Sequence, residues 1–164
     1  MSKNDFVDTG INLIINNYLN RYTLYSELID SFIEFLTIPD LYYKTIEKAE
    51  KMWEKINKTP VKSDSWSSDY DKRSNLNNIT EIVFKCYAKL FEFENGIRYF
   101  KNHQIEDDQE VKLYILIKLL FREKQKEIIL EELKNAQKNG VKPRESLLKM
   151  KQYIEEKNSL PDYF

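Results

Sequence analysis

Apolar side chains return every three or four positions through most of this chain, an interval that places them on one face of an α-helix. The cleanest series is Ile79, Ile82, Val83, Cys86, Leu90, Phe93, Ile97 and Phe100. With three glycines and four prolines in 164 residues there are few places to turn, which favours long elements and few loops. A chain of this length buries roughly two-thirds of the surface it exposes when unfolded, so it needs neither disulfide nor metal to fold. The sequence therefore reads as all-α: one helical domain over residues 1–164, a bundle of five or six helices, several of them long.

A first helix is expected from Asp5 to Leu36, with Phe6, Ile11, Ile14, Tyr18, Tyr22, Tyr25, Ile29 and Phe32 along its stripe. Pro39 ends it, because the residue before a proline avoids the α region. A second helix to about Asn57 carries Tyr42, Ile46, Ala49, Trp53 and Ile56. Residues 59–76 contain Pro60 and a Ser- and Asp-rich run without periodicity, which predicts a long loop, functional or mobile. Asn77 or Asn78 then caps a third helix running to near His103. Gly96 costs about 1 kcal/mol inside it, too little to stop so regular a pattern, and a break there is the alternative. Asp107 and Asp108 cap the next segment, either one helix to Lys138 or two with a bend near residue 123. Asn139-Gly140 marks a helix end and Pro143 the start of a last helix to about Lys157, giving a helical hairpin over 124–157. The tail Leu160–Phe164 is apolar enough to dock.

Composition removes several kinds of chemistry. One cysteine, Cys86, rules out an internal disulfide framework, and one histidine, His103, leaves no zinc finger or histidine-rich metal site. No segment has the glycine density to cradle a phosphate. Glu47, Glu50 and Glu54 share a helix face, but Lys48, Lys51 and Lys55 alternate with them as on a solvated surface. Glu106, Asp107, Asp108 and Glu110 are accounted for by capping. No metal and no cofactor are expected. The polar start lacks an export signal, and the apolar run Tyr114–Phe121, interrupted by Lys118, is far too short to span a bilayer. A cytoplasmic protein with no membrane partner is the expectation. Eleven tyrosines, an excess of Lys over Arg, and abundant Asn and Ile fit an A+T-rich genome, such as a low-GC bacterium or a phage or plasmid within one.

Three segments could carry function. The run Arg98-Tyr-Phe-Lys-Asn-His103 is similar to the motif of the HEPN ribonucleases, small all-α proteins that pair to build a metal-independent active site. That resemblance implies His103 as acid/base and Arg98 as phosphate-binding cation, with two chains forming one site. On a regular helix, however, residues five apart project about 140° from each other. Both also suit a helix C-terminus.

Charge is uneven as well: residues 118–151 hold ten basic and five acidic side chains, against fifteen and nineteen before them. Lys134, Lys138, Lys142, Arg144, Lys149 and Lys151 flank the turn at Gly140 and could meet nucleic acid or an acidic partner. Finally, Trp66 and Tyr70 among Asp64, Asp69 and Asp71 have the make-up of an aromatic anchor with a polar rim for a protein partner. Exposed tyrosines could equally seal a homodimer.

Taken together, these residues predict a non-catalytic helical protein that binds another macromolecule, a protein above all. An inhibitor or regulator of a host defence protein, carried by a mobile element, is the concrete expectation. The alternatives are a nucleic-acid binder using the basic C-terminal helices and a HEPN-like ribonuclease using Arg98 and His103.

Overall fold

A computed structural model describes residues 5–10, 25–61 and 66–164, without the side chains of 25–28 and 66–68. Ile11, Ile14, Tyr18 and Tyr22 of the expected first helix lie outside the described residues, as does Asp64. The described residues are helical, with no strand. They form α1 (residues 5–10), α2 (Tyr25–Phe35), α3 (Pro39–Lys58), α4 (Trp66–Lys89), α5 (Phe93–His103), α6 (Gln109–Arg122), α7 (Lys126–Lys138) and α8 (Glu145–Lys157). These eight segments exceed the five or six expected, in part because α4 and α6 end at places that carry no glycine or proline.

Three helix ends share one device. After α4, the Glu92 amide reaches the Tyr87 carbonyl at 2.9 Å and the Phe91 amide reaches that of Ala88 at 3.0 Å. The same pair of bonds closes α6 (Gln125 to Leu120, Lys124 to Phe121) and α7 (Val141 to Ala136, Gly140 to Gln137). In this motif the residue just past the helix is left-handed, which suits glycine. Gly140 meets that requirement with φ 80°, whereas Phe91 (φ 59°) and Lys124 (φ 58°) adopt it with side chains attached. The continuous helix expected over 77–103 is thus two helices, reversing at residues 90–92. Gly96 is not the break. It lies inside α5, where a Cβ would stand 3.2 Å from Tyr87 Cβ, so its bareness lets α5 approach α4.

The expected loop at 59–76 is also corrected, since α4 begins at Trp66. A tertiary contact holds this polar stretch helical. Lys72 donates to the carbonyls of Asn57 (2.8 Å) and Thr59 (2.9 Å), placing a cation on the C-terminal end of α3. Asn77 does not cap a helix. It sits within α4 and clamps Ile105, accepting from its amide (2.8 Å) and donating to its carbonyl (3.3 Å).

Contacts divide the chain into two compact units, residues 1–105 and 106–164. In the first, α4 packs against α2, α3 and α5. Its core joins Val7 of α1, Ile29, Phe32, Ile33 and Leu36 around α2, Leu41, Ile46 and Ala49 of α3, and Ile79, Ile82, Val83 and Cys86 of α4. Burying a side chain of this size is worth about 1.5–3 kcal/mol, so the stripe read from the sequence is what holds the unit together. One charge is carried inside: the buried Lys85 ammonium is ion-paired with Asp30 and with Glu81, the latter at 3.0 Å.

In the second unit, Asp108 caps α6 by accepting from the amides of Glu110 (2.8 Å) and Val111 (3.3 Å). Leu113, Leu116, Ile117 and Leu120 of α6, Ile129 and Leu133 of α7, and Leu147, Met150 and Ile154 of α8 are among its buried residues. The tail docks as expected: the Phe164 ring meets Tyr114 and Phe121 edge-on, at 5.2 and 5.3 Å. The last helix starts two residues after Pro143, because Arg144 is extended (ψ 153°) and serves as its N-cap.

Candidate functional site

Because α3 and α5 both lie against α4, residues spaced along one face of each can meet across it. Tyr43, Glu50 and Trp53 succeed one another along α3, and Glu92, Tyr99 and His103 do so from the start of α5 to its end. They meet in the same order. Tyr43 donates its hydroxyl to Glu92, Glu50 bears electrostatically on Tyr99 and His103, and the Trp53 ring stands edge-on to His103 at 4.7 Å. A seam of alternating rings and carboxylates results, with Tyr87 of α4 within electrostatic reach of Glu50 and Glu92.

At one end of the seam the polar groups are ordered by one another. Arg98 donates to Asn95 (2.7 Å), Asn95 donates to Glu92 (2.8 Å), and Glu92 also accepts from Tyr43. These bonds, Tyr43 first, hold the Glu92 carboxyl below the usual range, so it stays ionised. Beside Glu92 projects Phe91, 85% exposed on its left-handed backbone. Tyr43 is 50% exposed.

The middle of the seam is drier. Burial raises the Glu50 carboxyl above its ordinary value, His103 pulls it down, and Glu54 and Glu47 push it up. Of the three acids on this stretch of α3, Glu47 is paired with Lys51 and Glu54 with Lys58, each four residues on. Glu50 has Glu54 at that spacing and carries no ion pair among the described residues. Burial, with Glu50 next, also raises the Tyr99 and Tyr87 phenols. The Tyr99 hydroxyl and the Trp53 indole N–H are buried without a hydrogen-bond partner among the described residues. Leaving such a donor unmet costs about 1–3 kcal/mol.

Arg98 and His103, the pair singled out by the motif, occupy the same helix but serve separate partners. The exposed Arg98 holds Asn95. His103 lies flat against Tyr99, ring to ring at 3.8 Å, with Nδ1 bonded to the Tyr99 carbonyl at 2.9 Å.

The loop candidates fall at the start of α4. Tyr70 is 59% exposed, Asp69 is exposed and Asp71 half-buried, while Asp64 and the Trp66 side chain lie outside the described residues. Among the basic candidates, Arg144 lies 4.8 Å over the Tyr114 ring and 3.1 Å from Glu110. Lys149 pairs with Glu145 (2.7 Å) and Lys151 donates to Gln137 (2.8 Å), whereas Lys134, Lys138 and Lys142 are exposed.

Sequence reasoning missed Phe91, Tyr43 and the Glu50 cluster. Phe91 gave no signal, since nothing in the sequence marks a left-handed phenylalanine. Glu50 did give one, as the single acid of its group without a lysine at i+4. Among the described residues no three His, Cys, Asp or Glu side chains gather to hold a metal, and no helix is long and apolar enough to cross a membrane. Compared with known proteins, the chain matches no family model, no curated protein and no solved structure.

Proposed function

We propose that this protein is a non-catalytic helical binder that docks a partner protein on the α3–α5 seam, with Phe91 as its anchor. One observation carries the reading: a phenylalanine 85% exposed at a backbone position that favours glycine. Neither packing nor backbone preference selects phenylalanine there, so a gain outside the folded monomer is the remaining physical reason. Tyr43, Glu92, Asn95 and Arg98 already hold one another in place beside it. Binding therefore orders few side chains, at about 0.5–1.5 kcal/mol saved for each. Tyrosine and arginine next to an exposed aromatic ring also match the make-up of binding hot spots.

Within this class, an inhibitor or regulator of a host defence protein, carried by a phage or plasmid, fits the A+T-rich signature of the composition. The test is affinity capture from lysate of a low-GC bacterial host, with mass spectrometry, on wild type and Phe91→Gly in parallel. One protein retained by the wild type and lost by the variant, at unchanged helicity, is the expected result. An identical catch from both variants, or nucleic acid in place of protein, refutes the reading.

A further inference from the structure

The last turns of α7 gather cations that nothing in the fold neutralises. Lys134 and Lys138 stand one turn apart on its exposed face, with Gln137 beside them, since positions three and four apart on a helix are neighbours. Gln137 accepts a hydrogen bond from the Lys151 ammonium of α8 at 2.8 Å, which brings a third positive charge to the amide next to both. Lys142 follows, exposed, in the turn after Gly140. None of Lys134, Lys138 and Lys142 has an ion pair among the described residues, whereas Lys149 is paired with Glu145 and Arg144 with Glu110. The run from Leu133 to Arg144 holds no acid and no aromatic residue.

A structural role does not account for this grouping. Like charges one turn apart destabilise a helix, and a further ammonium alongside adds to the repulsion. The negative end of the helix welcomes a cation only within its last turn, which accounts for Lys138 but not for Lys134 or Lys142. The carbonyls of Ala136 and Gln137 are in any case met by the amides of Val141 and Gly140. What the group lacks is an anion from outside, and its composition selects the kind. Protein interfaces are poor in lysine and rich in aromatic residues and arginine, the reverse of what stands here. Ammonium groups serve phosphate as point charges. With no ring for a base to stack on, a single strand gains little. Arg144, the guanidinium of the run, is taken up by Glu110 and the Tyr114 ring, so base edges go unread.

We infer that Lys134, Lys138, Lys142 and Lys151 form a contact surface for the phosphate backbone of duplex nucleic acid, bound without regard to sequence. Four lysines neutralise about four phosphates, so the attraction is modest and falls steeply with salt. The surface belongs to the second unit, and binding there does not require the α3–α5 seam.

The test is fluorescence anisotropy of labelled duplexes of about 20 base pairs, DNA and RNA, each in two unrelated sequences, titrated with the full chain between about 20 and 200 mM salt. The expected result is near-equal affinity for the two sequences. For DNA, the logarithm of the binding constant should fall linearly against that of salt, with a slope of about −3.5. Replacing Lys134, Lys138 and Lys142 together by glutamine should flatten that slope by about 2.5 and weaken binding about tenfold or more at about 50 mM salt. All three side chains are exposed, and helical circular dichroism checks that the variant stays folded. A second triple variant, Lys44→Gln with Lys55→Gln and Lys118→Gln, removes the same charge from exposed lysines elsewhere and should bind nearly as wild type does, as should Phe91→Gly. Equal losses in the two triple variants would show that net charge alone acts, and would overturn the proposal. So would an unchanged slope in the first variant, or no binding at about 100 μM protein in the lowest salt. Tighter binding of a single strand, or of a glutamate-rich peptide of equal charge, would likewise take the surface away from duplex nucleic acid.

Discussion

Phe91 allows a prediction in which backbone and side-chain effects separate. A left-handed conformation costs a residue with a Cβ about 1–2 kcal/mol, and Phe91 bears that cost at φ 59°. Since the residue is 85% exposed, it hides at most about 40 Å², worth about 1 kcal/mol. Phe91→Ala loses that burial and keeps the backbone cost, so it destabilises the protein by about 1 kcal/mol. Phe91→Gly also loses the burial but gains the full conformational relief, offset by about 0.5–1 kcal/mol of extra chain entropy in the unfolded state. The glycine variant should therefore come within about 1 kcal/mol of wild type and exceed the alanine variant by about 0.5–1 kcal/mol. Urea unfolding monitored by helical circular dichroism measures all three proteins on one scale. An alanine variant more stable than the glycine variant would show that residue 91 is not left-handed in solution. A loss beyond about 2 kcal/mol in both would show that the ring is packed. Either result removes the ground for treating Phe91 as an anchor.

The first unit yields three other expected outcomes. In Gly10→Ala the new Cβ would stand 2.2 Å from Cε2 of the buried Phe32 ring, so a loss of about 1–3 kcal/mol is expected despite alanine's better helix propensity. A neutral effect on the urea midpoint would mean that α1 does not pack on α2. Cys86 is buried, and burial pushes its thiol well above the ordinary range, so a thiol-disulfide reagent should label it only as fast as the unit opens. Fast labelling without denaturant contradicts its place in the core. Burial raises the Glu50 carboxyl, so the folded state holds its proton to higher pH than the unfolded state does. Stability then falls as pH rises from the ordinary glutamate value through the raised one, and the penalty is complete above it. Glu50→Gln should accordingly raise the melting temperature at neutral pH but not below the ordinary glutamate value. An equal shift at both would leave Glu50 without a desolvation penalty.

Helicity, and the choice of which faces are buried, were legible in the order of residues alone. Ile79, Ile82, Val83 and Cys86 are fully enclosed, as their spacing requires. So were the helix ends that carry local chemistry, because a cap or a glycine acts within a few residues: Asp108 opens α6, Pro39 opens α3 and Gly140 comes after α7. Other features arise only from packing. The reversal at Phe91 leaves no local trace, since one apolar periodicity serves both α4 and α5 once both face the same core. The first turns of α4, polar and without a stripe, are held by Lys72 on the carbonyls ending α3, a contact between residues 15 and 13 apart. Glu50, Trp53, Tyr99 and His103 come near one another only because α3 and α5 lie along the same neighbour. Periodicity records how each helix meets a core, whereas which two helices share a seam depends on how the chain turns between them.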